Sequence, residues 1–176
     1  MLMKNLMFLL FITIGSFGVY GQQNTREFYR DTLSSYQVVI PEWFTVRNTN
    51  ATNLWGGTLP AVDGIENAIV IKAYAKKTGS SFFGFKKYVV EGLSFGKTPP
   101  WSSSHHFMGK KDLGIYKGIG DSYIVYLMRG GLIYHCKYVL LESRTAYIWI
   151  DFTATEKTFD KNMPKFDEFM AGFNAN

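Results

Sequence analysis

Hydrophobic and polar residues alternate along most of this chain, and a helical spacing interrupts the alternation twice. The alternation over residues 36–46, broken at Pro41, and over residues 68–74 predicts two early strands. Between residues 107 and 155 it continues through further strands that are separated by glycines or short polar segments. The second half of the chain is therefore predicted to form an antiparallel β meander.

Two segments have their apolar residues at helical spacing. In the first, Ser80 or Ser81 is suited to cap a helix with one apolar face over residues 82–93. The second covers residues 158–173. Pro164 is expected in the first turn of its main helix, with Asn162 as the cap, because proline inside a helix costs about 3 kcal/mol.

The resulting order, β-β-α-β-β-β-β-α, is an α+β fold in which an antiparallel meander is flanked by helices. Residues 47–63 are rich in Asn, Thr and Gly and are predicted to be a loop. Two loop tryptophans, Trp55 in this segment and Trp101 near a Pro-Pro pair, are candidate contacts for a partner.

The strand register in the meander can be predicted from its turns. A turn at Gly130-Gly131 places Tyr126 opposite His135. In the next hairpin a three-residue turn places Lys137 opposite Asp151, whereas a two-residue turn would shift that pairing. The first register is preferred because it pairs opposite charges and keeps one sheet face apolar.

In that register the two faces of the meander differ in chemistry. One face is predicted to be core and holds Tyr123, Val125, Leu127, Tyr134, Cys136, Tyr138, Leu140, Ile148, Ile150 and Phe152. The other mixes aromatic and polar side chains, a composition found at binding surfaces. Its candidate contact residues are Tyr126, His135, Lys137, Tyr147, Trp149 and Asp151. The simpler alternative is a face covered by a helix, with Lys137 and Asp151 as an ordinary ion pair.

The N-terminus has the pattern of a secretory signal peptide. Lys4 precedes an apolar stretch over residues 6–17, and Gly21 offers a small residue for cleavage. The stretch is too short for a membrane span, which needs about 20 residues. The sequence predicts a signal peptide over residues 1–21 and a single domain over residues 22–176, exported to the periplasm or the medium without a transmembrane anchor.

The net charge limits the classes of partner that the chain could bind, and the cysteine content limits its disulfide chemistry. Of 19 Lys and Arg, only Lys4 lies in the leader, so the predicted mature chain has a formal charge of +4 against its 14 acidic residues. The lysines occur as scattered pairs, which disfavours nucleic acid and allows weak contact with an anionic membrane surface or polysaccharide. The single cysteine, Cys136, lies in a strand pattern and is expected to be buried.

No motif for a catalytic residue, a metal or a cofactor is recognised. His105 and His106 are neighbours on a predicted strand and so point to opposite sides, as do His135 and Cys136. These arrangements disfavour both a shared metal and a thiol–imidazole dyad.

The element order resembles the PsbP/Mog1-like fold family. Residues 40–46, IPEWFTV, resemble the opening strand of those proteins, and residues 147–153, YIWIDFT, resemble their final strands. The segment from Thr155 to Phe173 is similar to their closing helix. The resemblance implies an accessory or binding role rather than catalysis.

The leading interpretation is a non-enzymatic envelope protein that contacts a protein or a glycan. Two alternatives stay open. One is an envelope hydrolase that uses His105, His106 or His135, and the other is a carrier of a small apolar ligand held between sheet and helix.

Overall fold

The structure, a computed structural model, describes residues 27–47, 51, 53–92 and 104–176. Trp101 and the predicted signal peptide lie outside these ranges. The elements are β1 Phe28–Asp31, β2 Tyr36–Val39, β3 Thr45–Val46, β4 Leu54–Thr58, β5 Ala68–Ala75, α1 Phe82–Glu91, β6 His106–Tyr116, β7 Gly120–Arg129, β8 Leu132–Glu142, β9 Ala146–Thr155, α2 Glu156–Ala171 and β10 Phe173–Ala175.

Within the described ranges the strands form two antiparallel sheets. Seven strands pair in the order β3-β4-β5-β9-β8-β7-β6, and three pair in the order β1-β2-β10. The α+β class and the meander from β6 to β9 are confirmed. The sequence pattern does not predict β1, β4 or β10, and β3 is shorter than the predicted strand, because residues 42–43 form a turn.

The large sheet is covered by a different helix on each face. Helix α1 packs on β8 and β9 through a cluster that includes Phe85, Tyr138 and Trp149. Helix α2 and the three-stranded sheet pack on the opposite face, where Phe152 and Phe166 are fully buried. Neighbouring residues of a strand point to opposite faces, so β8 and β9 supply apolar side chains to both cores.

Helix α1 begins after its predicted cap and spans Phe82–Glu91. The Ser81 side chain accepts a hydrogen bond from the Gly84 backbone N–H at 3.1 Å. The helix ends before Gly92, which has φ of 70°. An N-cap hydroxyl and a C-terminal glycine satisfy backbone groups that the helix itself leaves unpaired.

Helix α2 differs from its prediction. It begins at Glu156, directly after β9, so Pro164 lies inside it rather than in its first turn. Asn162 is not a cap: its side chain is buried within the helix and donates to the Thr158 carbonyl at 3.3 Å. Pro164 is exposed, so its ring meets solvent rather than the core.

The predicted register of the last hairpin is wrong. The structure pairs Tyr138 with Asp151 and Lys137 with Phe152, which matches neither predicted turn. The turn is closed instead by a hydrogen bond from the Ser143 backbone N–H to the Ala146 carbonyl at 2.9 Å. A slip of one residue moves every side chain of β9 to the other face.

In the described parts of the chain, no helix has both the length and the apolar character needed to cross a bilayer.

Candidate functional site

Helix α2 leaves part of its own sheet face uncovered. The helix packs on β9 and β8 and contacts the end of β6 at Tyr116, while the rest of this face of β7 and of the edge strand β6 extends beyond it. Strand pairing places the side chains of this region in rows across the three strands. We call this region the open face; it consists of His106, Lys111, Ile124, Tyr126, Met128, Ile133 and His135.

The open face combines exposed apolar side chains with polar ones. Ile133 is 42% exposed, while Ile124 and Met128 are partly exposed beside it. His106 and Lys111 are exposed at the β6 margin. Mixed aromatic, aliphatic and polar surface with charge at its rim is typical of a protein interface.

Tyr126 and His135 form the centre of this region. They are paired across β7 and β8, as the sequence predicts, and their rings meet edge to face with centroids 4.9 Å apart. The His135 ring also lies 5.4 Å from Phe159 of α2. The imidazole is therefore held between two aromatic rings, which fixes its orientation at the boundary between the core and the open face.

Lys137 lies on the same face but is buried. Its Nζ atom lies 5.3 Å from the centroid of the Tyr116 ring, and burial lowers the pKa of the ammonium. The Tyr116 hydroxyl donates to the Asp167 carboxylate at 2.5 Å. Asp167 opposes this lowering of the Lys137 pKa. Among the described residues, no carboxylate forms an ion pair with Lys137.

Tyr147, Trp149 and Asp151 lie on the opposite face, under α1. This follows from the corrected register of β9, and all three are buried. The structure therefore divides the six predicted contact residues between two faces. Only Tyr126 and His135 stay on a partly exposed surface.

Asp151 is part of a polar cluster within the α1 core. Its carboxylate accepts a hydrogen bond from the Thr153 hydroxyl at 2.8 Å and lies 3.6 Å from the Lys72 Nζ atom. Burial raises the Asp151 pKa, while Lys72 opposes that shift. The predicted ion pair with Lys137 is wrong, because Lys137 points to the other side of the sheet.

Cys136 and Tyr138 adjoin this cluster and are both buried. Burial raises the pKa of the Cys136 thiol to about 12 and also raises the pKa of the Tyr138 hydroxyl. Cys136 points away from His135, as expected for neighbouring strand residues. The thiol is thus held in its neutral form beside apolar residues, where it is a weak nucleophile.

The histidines do not gather at one point. His105 lies near Tyr134, with ring centroids 6.5 Å apart, and its charge lowers the Asp151 pKa from the α1 side. His106 and His135 are on the other side of the sheet. Among the described residues, no three His, Cys, Asp or Glu side chains are grouped to hold a metal ion.

Trp55 is a core residue rather than a loop contact. It lies in β4, is 8% exposed, and stacks on Tyr29 with centroids 4.6 Å apart. Trp101 lies outside the described ranges. The contact surface missed by the sequence pattern is the apolar end of the open face, where Met128 and Ile133 pair across β7 and β8.

The architecture matches a solved structure. The chain is similar to cyanobacterial PsbP (CyanoP) from Synechocystis sp. PCC 6803, with a TM-score of 0.54 and 12% identity over 92% of this chain and 100% of that one. The chain has the PsbP/Mog1-like fold. The low identity limits this conclusion to the fold.

Two further structures resemble the chain at lower scores. One is a Pseudomonas aeruginosa protein of unknown function, with a TM-score of 0.47 and 19% identity over 82% of this chain and 92% of that one. The other is from Bacteroides thetaiotaomicron, with a TM-score of 0.45 and 12% identity over 85% of this chain and 48% of that one. No protein-family model and no curated protein matches the sequence.

Proposed function

We propose that this protein is an exported accessory module, a single non-enzymatic domain that binds a partner protein through its open face. The observation that supports this most directly is the extent of α2, which covers β8 and β9 but leaves apolar side chains of β7 and β8 at the surface. An interface needs such side chains at its centre, since their removal from water provides most of the binding free energy.

The open face fits a protein better than a glycan. Its apolar end beside Tyr126 holds Met128 and Ile133, whose aliphatic groups are suited to pack against the side chains of a protein. Trp55, predicted as a contact for a protein or a glycan, is buried in the core and offers no exposed aromatic ring for a sugar. A protein partner would be expected to present apolar side chains to Ile133 and acidic groups to Lys111 and His106.

The end of the β7–β8 hairpin enlarges this surface. Leu132 is 55% exposed, and Met108 and Phe107 on β6 are 56% and 41% exposed. Phe107 pairs with Leu127 and so belongs to the other sheet face, which places apolar groups on both sides of the same end. This end of the sheet would therefore form the centre of the interface.

Export is supported by the sequence pattern over residues 1–21, which lies outside the described ranges. A chain released in this way would meet envelope proteins rather than nucleic acid.

Site-specific photocrosslinking in the cells that make the protein would test the proposal. A photoreactive residue at Ile133 should give one adduct of defined mass, because this side chain would be covered by the partner. The matched control is the same residue at Leu33, which is 86% exposed but lies in the β1–β2 turn.

A second variant separates binding from folding. Met128→Asp in the crosslinking chain should abolish the Ile133 adduct while the thermal unfolding midpoint stays within a few degrees, since Met128 is partly exposed. Equal adducts at positions 133 and 33, or an adduct unaffected by Met128→Asp, would refute the open face as the binding surface.

A further inference from the structure

A cleft of about 750 Å³ lies between the end of β5 and the start of α1. It is lined by Ala73, Tyr74 and Ala75 at the end of β5 and by Gly84 in the first turn of the helix. Sites for small molecules typically enclose about 300 to 1,000 Å³. The cleft is thus of a suitable size for one small ligand, and it shares no lining residue with the open face.

The rim of the cleft is held in shape by its own hydrogen bonds. The Ser80 hydroxyl donates to the Lys77 carbonyl at 2.7 Å, and its oxygen accepts from the Lys77 backbone N–H at 3.0 Å. Gly79 completes this turn with φ of 79°, a value that favours glycine. A ligand would therefore meet a rim that is already ordered, which reduces the entropy lost on binding.

The charge at the cleft is entirely positive. Lys77 and Lys87 line it, and its described lining residues include neither Asp nor Glu. Within the described ranges no carboxylate forms an ion pair with either lysine, whereas the neighbouring Lys76 lies 3.2 Å from Glu142. The Lys87 Nζ atom lies 4.8 Å from the centroid of the Phe83 ring. Two cationic side chains in the lining of one cleft favour a negatively charged ligand.

The aromatic wall favours an apolar body on that ligand. The Tyr74 ring packs against Phe85 and Tyr88, with centroids 5.5 Å and 6.2 Å away. Burial raises the Tyr74 pKa to about 12, so its hydroxyl stays neutral beside a bound anion. Asn53 and Ser81 add neutral hydrogen-bonding groups around this wall.

We propose that this cleft binds a free small molecule with one anionic group and an apolar body. The anionic group, a carboxylate or a phosphate ester, would lie near Lys77 and Lys87, with the apolar part against the Tyr74 ring. The site is independent of the proposed partner surface.

Calorimetric titration of the intact protein with decanoate and with 2-naphthoate tests this proposal, using decanol and 2-naphthol as neutral analogues. At least one acid should bind with one-to-one stoichiometry and about tenfold more tightly than its analogue. The double variant Lys77→Gln/Lys87→Gln should weaken its binding by about tenfold or more. Lys157→Gln, a change at an exposed lysine on α2, is the matched control and should leave binding unchanged.

Three results would overturn the assignment. They are no binding of either acid, equal binding of acids and neutral analogues, and equal affinities of the double variant and the unmodified protein. Binding to phosphatidylglycerol vesicles without binding to the free acids would assign the lysines to a membrane surface instead. Met128→Asp should leave the titration unchanged, so this result does not depend on the open face.

Discussion

The Nζ atom of Lys72 lies 3.6 Å from the centroid of the Trp149 ring, and the same atom is 3.6 Å from an Asp151 carboxylate oxygen. The ammonium group thus offsets the burial of a carboxylate while resting on an aromatic face. The Trp149 indole N–H is buried and has no hydrogen-bond acceptor among the described residues. The stability of this core therefore depends strongly on the Lys72 ammonium group, which contacts both Trp149 and Asp151.

Lys72→Met should destabilise the protein by about 3 kcal/mol or more at about pH 7, because it leaves the Asp151 charge buried without its partner. Burial already raises the Asp151 pKa, so the native state keeps the carboxyl proton of Asp151 at pH values where the unfolded chain has lost it. The stability contribution of this carboxyl group falls as pH rises from about 3.9 through the native pKa. The variant raises that pKa further and enlarges the loss.

Urea unfolding at about pH 3.5 and about pH 7 would measure this effect, with a much smaller loss expected at the lower pH. Lys161→Met is the control, because Lys161 and Asp63 form an exposed pair that should contribute less than about 1 kcal/mol. A loss for Lys72→Met that is independent of pH would contradict the prediction.

Lys137→Met should stabilise the protein by about 1 kcal/mol near neutral pH, because it removes a buried ammonium group without an ion-pair partner in the described ranges. Burial lowers the Lys137 pKa, so the native state binds fewer protons than the unfolded chain between that pKa and about 10.4. The cost of the charge is complete below the native pKa and disappears as pH rises through this window. Unfolding at about pH 7 and about pH 10 should show the gain shrinking; a constant gain would point to packing alone.

Pro164→Ala should raise the free energy of unfolding by about 1 to 3 kcal/mol. The proline occupies an interior position of α2, where it removes a backbone hydrogen bond, and its exposed ring contributes little packing. Thermal unfolding would measure the gain, and Lys157→Ala at another exposed position of α2 should change stability by less than about 0.5 kcal/mol. A lower midpoint for Pro164→Ala would show that the proline supports the native helix.

Cys136 should resist thiol reagents at about pH 8 until the protein unfolds. Its thiol is buried and its pKa is raised to about 12. Reagents therefore cannot reach the sulfur, and at this pH almost none of it is in the reactive thiolate form. The labelling rate should increase sharply through the urea transition. A control chain with Cys136→Ser and Leu33→Cys places the thiol at an exposed site and should react at once.

The sequence predicts the local features of the meander well, but it fails where contacts between residues far apart in the chain determine the strand register. The Gly130-Gly131 turn is encoded by two residues that adopt positive φ, so the pairing of Tyr126 with His135 follows from it. The turn after β8 depends instead on Ser143, whose hydroxyl donates to the Ser34 carbonyl at 2.6 Å. Such a contact lies outside any sequence window around the turn.

The same limit applies to the candidate surfaces. Tyr126 and His135 are predicted correctly as a facing pair, whereas Asp151 is assigned to the wrong face by a register slip of one residue. Trp55 is predicted in a loop because its neighbours are Asn, Thr and Gly, but pairing with Ile71 places it in a buried strand. The cleft beside Lys77 arises where α1 meets β5, which no single segment could indicate.

The pairing of β2 with β10 has a consequence for folding. Tyr36 and Val38 pair with the neighbouring β1 on one side, but their partners on the other side lie in residues 173–175. Contacts of such long sequence separation form slowly. The three-stranded sheet therefore cannot be completed by local hairpin formation, and its closure is expected among the later steps of folding.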